Sequence, residues 1–160
     1  IYTERNSSAA SDVYKRQAIY RRFATKADLA TAALAHRIDD DARPSPDLPV
    51  EPALVSALEH LARRLRARRS MALVGTLLVE EAQTPELIGL FRERVWEGRS
   101  RLLLEILDRA RDRGEIGADA DREAAVTMLI GSLYAAYLGL ARIPRDWPAR
   151  VVRAALAGLC

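Results

Sequence analysis

Residues 18–34, AIYRRFATKADLATAAL, bring one phenol and three cations into a short span: Tyr20, Arg21, Arg22 and Lys26. Side chains of this kind bind anions and have no nucleophile or general base beside them. Phe23 closes the turn after them, and Thr25 with Asp28 three positions on forms a capping-box-like start for a following helix. Lys26 falls in the first turn of that helix, where a cation opposes the helix dipole. Its placement calls for an external anion, and nucleic-acid phosphate is a candidate.

The rest of the chain offers no other chemistry of comparable definition. Cys160 is the single cysteine, so an intramolecular disulfide and a zinc framework are both excluded, and a reducing cytoplasm fits. His36 and His60 have no second His or Cys at metal-ligand spacing and read as surface or helix-packing residues. Ser70 and the scattered carboxylates belong to helical patterns, and no glycine-rich phosphate loop occurs. The expectation is a binding protein, not an enzyme, with no metal and no cofactor.

The segment around Tyr20 resembles the end of the helix-turn-helix in the TetR family of bacterial transcriptional regulators. There a recognition helix ending Tyr-x-x-Phe precedes a Lys-bearing helix that leads into the body. The resemblance implies that Tyr20 and Lys26 touch phosphates of a double-stranded DNA operator, that Arg21 and Arg22 lie on or near the DNA, and that Phe23 is core. Ala18 departs from the family, which has a Thr at that place. Two of the module's three helices have no counterpart upstream, so the chain reads as N-terminally truncated, with weak or non-specific DNA binding expected of it.

Residues 1–17 show no helical period, apolar face or glycine turn, and SSAASDVYKRQ resembles a translated library adapter. A flexible basic arm is the other reading. Charge is unevenly placed: residues 1–37 hold seven Lys or Arg against three acids, while the whole chain carries +3. The basic end is therefore the end that resembles a DNA reader.

The elements that must position these residues are helical throughout, giving an all-α fold. A helix over about 26–40 buries Leu29, Ala33 and Ile38. Pro44, Pro46, Pro49 and Pro52 then cannot continue a helix and mark a connection. The chain thus divides into a non-native-looking or disordered leader (1–17), a helix-turn-helix remnant (18–43), a Pro-rich connection (44–52) and a helical regulatory and dimerisation domain (53–160). Within the last, a helix over about 53–68 buries Leu54, Leu58, Leu61 and Leu65. Its end carries Arg63, Arg64, Arg66, Arg68 and Arg69, either as solvated cations complementing the dipole or as a second nucleic-acid surface.

MALVGTLLVEE, residues 71–81, is apolar on all sides and reads as the interior of the bundle. Thr84 caps and Pro85 starts a long helix to about residue 113, with Ile88, Phe91, Val95, Leu102, Ile106 and Ala110 inward and a bend allowed at Gly98. After a turn over 114–120, Asp121 caps a helix whose residues 124–141 carry no charge. That stretch meets the lower length limit for a membrane span, but its Ala-rich composition, Thr127, Ser132, two glycines and two tyrosines argue against one. Gly131, Ala135 and Gly139 instead form a small-residue ridge where another helix can approach closely. A last helix, about 148–159, offers Val151, Val152, Ala155, Leu156 and Leu159.

In the TetR family the last two helices pair with those of a second subunit as a four-helix bundle. The resemblance therefore assigns Gly131, Ala135, Gly139, Val152, Leu156 and Leu159 to a homodimer interface. It also implies a pocket for a small apolar effector, with Met71, Leu78, Phe91, Trp96, Met128 and Tyr134 as the adaptable or aromatic candidates to line it. The function implied is that of a DNA-binding transcriptional regulator, a repressor whose helical body dimerises and binds the effector. The alternative is a helical interaction or scaffold module without a DNA role.

Overall fold

The computed structural model describes residues 43–66, 70–140 and 142–159. Tyr20, Arg21, Arg22, Lys26, the leader and the helix expected over 26–40 lie outside the described residues. Within them the chain is all-helical: α1 (Val50–Arg66), α2 (Ser70–Glu80), α3 (Pro85–Phe91), a π-helical turn (Arg92–Trp96), α4 (Glu97–Asp112), α5 (Arg122–Gly139) and α6 (Trp147–Leu156).

The 3.6-residue period of α1 places Leu54, Leu58, Leu61 and Leu65 on one stripe, and each is at most 4% exposed. This stripe is the centre of the bundle, since α1 packs against α2, α4, α5 and α6. Leu103 and Leu107 of α4, Leu129 and Leu133 of α5 and Val152 of α6 complete the same core. The helix begins earlier than the prolines imply, at Val50, so Pro52 sits inside its first turn. A proline is tolerated there because that N–H has no intrahelical acceptor. The Pro-rich connection is correspondingly shorter than 44–52.

That connection is fastened to the far end of α4. The Arg113 guanidinium donates to the Leu48 carbonyl at 3.0 Å and also to the Pro46 carbonyl. Glu115 accepts from the Val50 N–H at 2.6 Å and from Arg113 at 3.3 Å, so one carboxylate caps α1 and orients the arginine. Arg43 reaches Glu105 at 3.0 Å on the same side.

The turn after α4 is a Schellman motif. The Glu115 N–H donates to the Ala110 carbonyl at 2.8 Å and the Gly114 N–H to the Arg111 carbonyl at 2.9 Å. Gly114 adopts φ +69°, which costs an L side chain roughly 1–2 kcal/mol. Gly114→Ala should therefore lower the melting temperature by several degrees, about 4 °C, in a thermal unfolding scan. Asp121 caps α5 as its sequence position implies, its carboxylate accepting from the Ala124 N–H at 2.9 Å. Thr84 stands at the start of α3 but makes no side-chain cap bond, and its backbone carbonyl accepts from the Leu87 N–H instead.

The long helix expected over about 85–113 is interrupted, not by a bend at Gly98 but by the π turn just before it. A π turn inserts one extra residue and rotates the helix beyond it. The inward face of α4 is Leu103, Ile106, Leu107 and Ala110, so Ile106 and Ala110 lie inward as expected while Leu102 is half-buried. No helix among the described residues is long and apolar enough to cross a membrane.

Candidate functional site: an apolar cleft beside an open helix face

Helix α2 is not inside the bundle. Leu77 is buried, but Leu78 is 57% and Val79 80% exposed. Uniform apolarity predicts burial only if elements exist to cover every side. Among the described residues, α2 has α1 and α3 as its neighbours and leaves a gap toward α5. The gap is an open cleft of about 580 Å³, within the range of small-molecule sites. Met71, Ala72, Val74, Gly75 and Leu78 form one wall, Phe91 and Trp96 the second, and Tyr134, Tyr137 and Leu138 the third.

The π turn places Trp96 in this cleft while the adjacent Val95 stays in the core. Tyr134 is held in place by Arg99, whose Nη1 donates to the phenol oxygen at 3.1 Å. The cleft thus has aromatic walls, thioether and aliphatic surface, and one fixed hydroxyl. Such a lining selects an apolar, polarisable body and can orient it through a single polar group. Among the described residues, no group of His, Cys, Asp and Glu is placed to hold a metal ion.

Of the residues expected to line a pocket, Met71, Leu78, Phe91, Trp96 and Tyr134 meet at this cleft. Met128 does not. It lies six residues before Tyr134 on α5, about 240° around the helix at about 100° per residue, and is 56% exposed on another face. Ala72, Val74, Gly75, Tyr137 and Leu138 were missed, although Tyr137 and Leu138 follow Tyr134 at helical spacing.

The small-residue ridge of α5 faces outward. Ala135 and Gly139 are exposed, and a Cβ placed on Gly131 or Gly139 would meet nothing within 4 Å. Ala124, Met128 and Leu138 extend the same stripe, so an apolar face the length of α5 has no cover among the described residues. The α6 residues assigned to a subunit interface fall differently. Val152 is fully buried and Leu159 is 8% exposed, both in the core of their own chain, where α6 packs against α1 and α5. Their side chains are taken up by packing within their own chain. Leu156 is half-buried, and the outward face of α6 presents Arg150, Arg153 and Ala154. The apolar stripe of α6 is narrow enough to be consumed by its own bundle; that of α5 is not.

The described chain is thus an all-helical body with a side cleft and an open small-residue face. A family model for the tetracyclin repressor-like C-terminal domain matches residues 49–155, most of the chain, and the chain belongs to that family of transcriptional regulators, which are not enzymes. The fold is similar to the crystal structure of the TetR family transcription regulator SCO0332, with TM-score 0.72 and 22% identity over 89% of this chain and 79% of that one. It is also similar to a protein from Mesorhizobium loti MAFF303099 assigned to the TetR family, with TM-score 0.66 and 18% identity over 88% of this chain and 76% of that one. No curated protein matches the chain.

Proposed function

We propose that the protein is a homodimeric transcriptional repressor that binds DNA through Tyr20, Arg21, Arg22 and Lys26 and releases it when a small effector occupies the α2–α5 cleft. The observation that supports this reading best is that α5 serves both purposes. Tyr134 and Leu138 line the cleft, and Gly131, Ala135 and Gly139 form the uncovered stripe on the neighbouring face. Two copies joined through that stripe place their DNA readers in a fixed relation, and an effector that shifts α5 changes that relation.

A second path runs along α4. Its N-terminal end follows Trp96 of the cleft, and its C-terminal end leads to Arg113 and Glu115, which grip the connection at Pro46, Leu48 and Val50. Sixteen residues span about 24 Å, so a tilt at the cleft is carried to the connection by one rigid element. An effector with differential affinity for the two reader spacings then lowers operator affinity by a typical coupling of about 1–3 kcal/mol.

The test is selection of duplexes from a random double-stranded pool by the protein carrying a complete helix-turn-helix. A two-fold symmetric site with half-sites about one helical turn apart is expected. On that site, Lys26→Ala should weaken binding on all sequences alike and reduce the salt slope by about one phosphate contact. Failure to enrich any duplex would favour a scaffold module, and a changed sequence preference in the variant would contradict the phosphate role of Lys26.

A further inference from the structure

Next to the apolar cleft is a second cavity of about 600 Å³, lined by Arg66, Tyr137, Leu140, Arg142, Ile143 and Arg145. Tyr137 belongs to both linings, so the two spaces adjoin across one side chain. Three guanidinium groups converge here from separate places in the chain, the end of α1 and the connection between α5 and α6. Among the described residues, no acidic side chain lines the cavity.

Five other arginines find carboxylates: Arg43, Arg111, Arg113, Arg122 and Arg153 each have one at 3.0–3.9 Å. Arg66, Arg142 and Arg145 form no ion pair among the described residues, and neither do Arg92, Arg94, Arg101 and Arg109. The C-terminal ends of α1 and α5 are close by, and each contributes roughly half a negative charge. All three arginines of the cavity are exposed and so accessible to an anion from solution.

We propose that cleft and cavity form one site for an anionic amphiphile. Its apolar body lies against Met71, Phe91 and Trp96, and its carboxylate or phosphate head is bound by Arg66, Arg142 and Arg145, with Tyr137 at the junction. The proposal rests on the reading of the cleft as an effector site and narrows the effector's class. Guanidinium forks suit planar or tetrahedral oxyanions and hold them by charge-assisted bonds. Ile143 is 8% exposed and Leu140 borders the opening, so the head would sit on partly apolar ground that strengthens those bonds.

Isothermal titration of the whole chain with decanoate, decyl phosphate and decanol, each below its micelle-forming concentration, tests the proposal. The two anions should bind at least tenfold more tightly than decanol, and their order tells carboxylate from phosphate. Arg142→Gln with Arg145→Gln should remove most of that advantage, a tenfold loss or more, while leaving decanol binding within twofold. Trp96→Ala should weaken all three probes. Equal affinity for decanol and decanoate, or an anion preference untouched by the double substitution, would overturn the proposal. So would loss of duplex binding in the Arg142→Gln, Arg145→Gln variant, which would make the arginines a nucleic-acid surface. No binding of any probe, with duplex selection still successful, would reject this effector class and leave the repressor reading standing.

Discussion

Ala135→Glu should convert a dimer into a monomer. Ala135 is exposed midway along the α5 stripe, between Gly131 and Gly139, and nothing in the described chain covers it. In a two-fold interface built on that stripe the same patch meets itself, so one substitution buries two carboxylates near each other. Breaking a buried site with an unpaired charge costs about 3–5 kcal/mol, which corresponds to a dissociation constant raised roughly 150-fold to 4,000-fold. Multi-angle light scattering over a concentration series reads this directly. The unaltered chain should show twice the chain mass and the variant one. The fold should survive, because the position is solvent-facing in the single chain. A variant dimer as strong as the parent would move the interface off α5.

Leu129→Ala should cause the largest loss of stability. Leu129 is fully buried between the elements that make the core, and truncation removes transfer free energy and leaves a cavity. About 3 kcal/mol is expected, a large share of the roughly 5–15 kcal/mol that holds a domain of this size. With a urea slope of about 2 kcal/mol per molar, the unfolding midpoint should fall by about 1.5 M at fixed protein concentration. Val79→Ala is the matched control. Val79 is just as apolar in sequence but 80% exposed, so its change should stay within about 0.5 kcal/mol. Equal losses at both sites would mean that α2 is covered in solution.

The same contrast shows which parts of the fold are legible in the sequence. The stripe Leu54, Leu58, Leu61, Leu65 and the cap at Asp121 could be read directly, because helical period and capping are local. Features that depend on neighbours could not. Residues 71–81 carry the composition of an interior helix, yet α2 borders a gap, and composition says nothing of the elements that stand opposite. Val152 and Leu159 have the same apolar character as the α5 stripe, but α6 spends them on its own core. The extra residue of the π turn turned Leu103 and Leu107 inward in place of Leu102, which no count of 3.6-residue steps from Phe91 would give. Arg66, Arg142 and Arg145 had no shared pattern at all, since one ends a helix and two follow another some seventy residues away.

Filling the cleft should weaken DNA binding. Gly75 lies on the α2 wall, and a Cβ there would meet nothing within 4 Å, so Gly75→Phe places a benzyl group in the cleft without a clash at its base. The decisive measurement is the affinity of this variant for the selected duplex, by fluorescence anisotropy at fixed salt, beside the unaltered protein. The variant should bind roughly 5–150-fold more weakly while keeping its dimer mass. Unchanged affinity in a variant shown to exclude probes from the cleft would contradict the claim, because the site would then be filled with no consequence for the DNA.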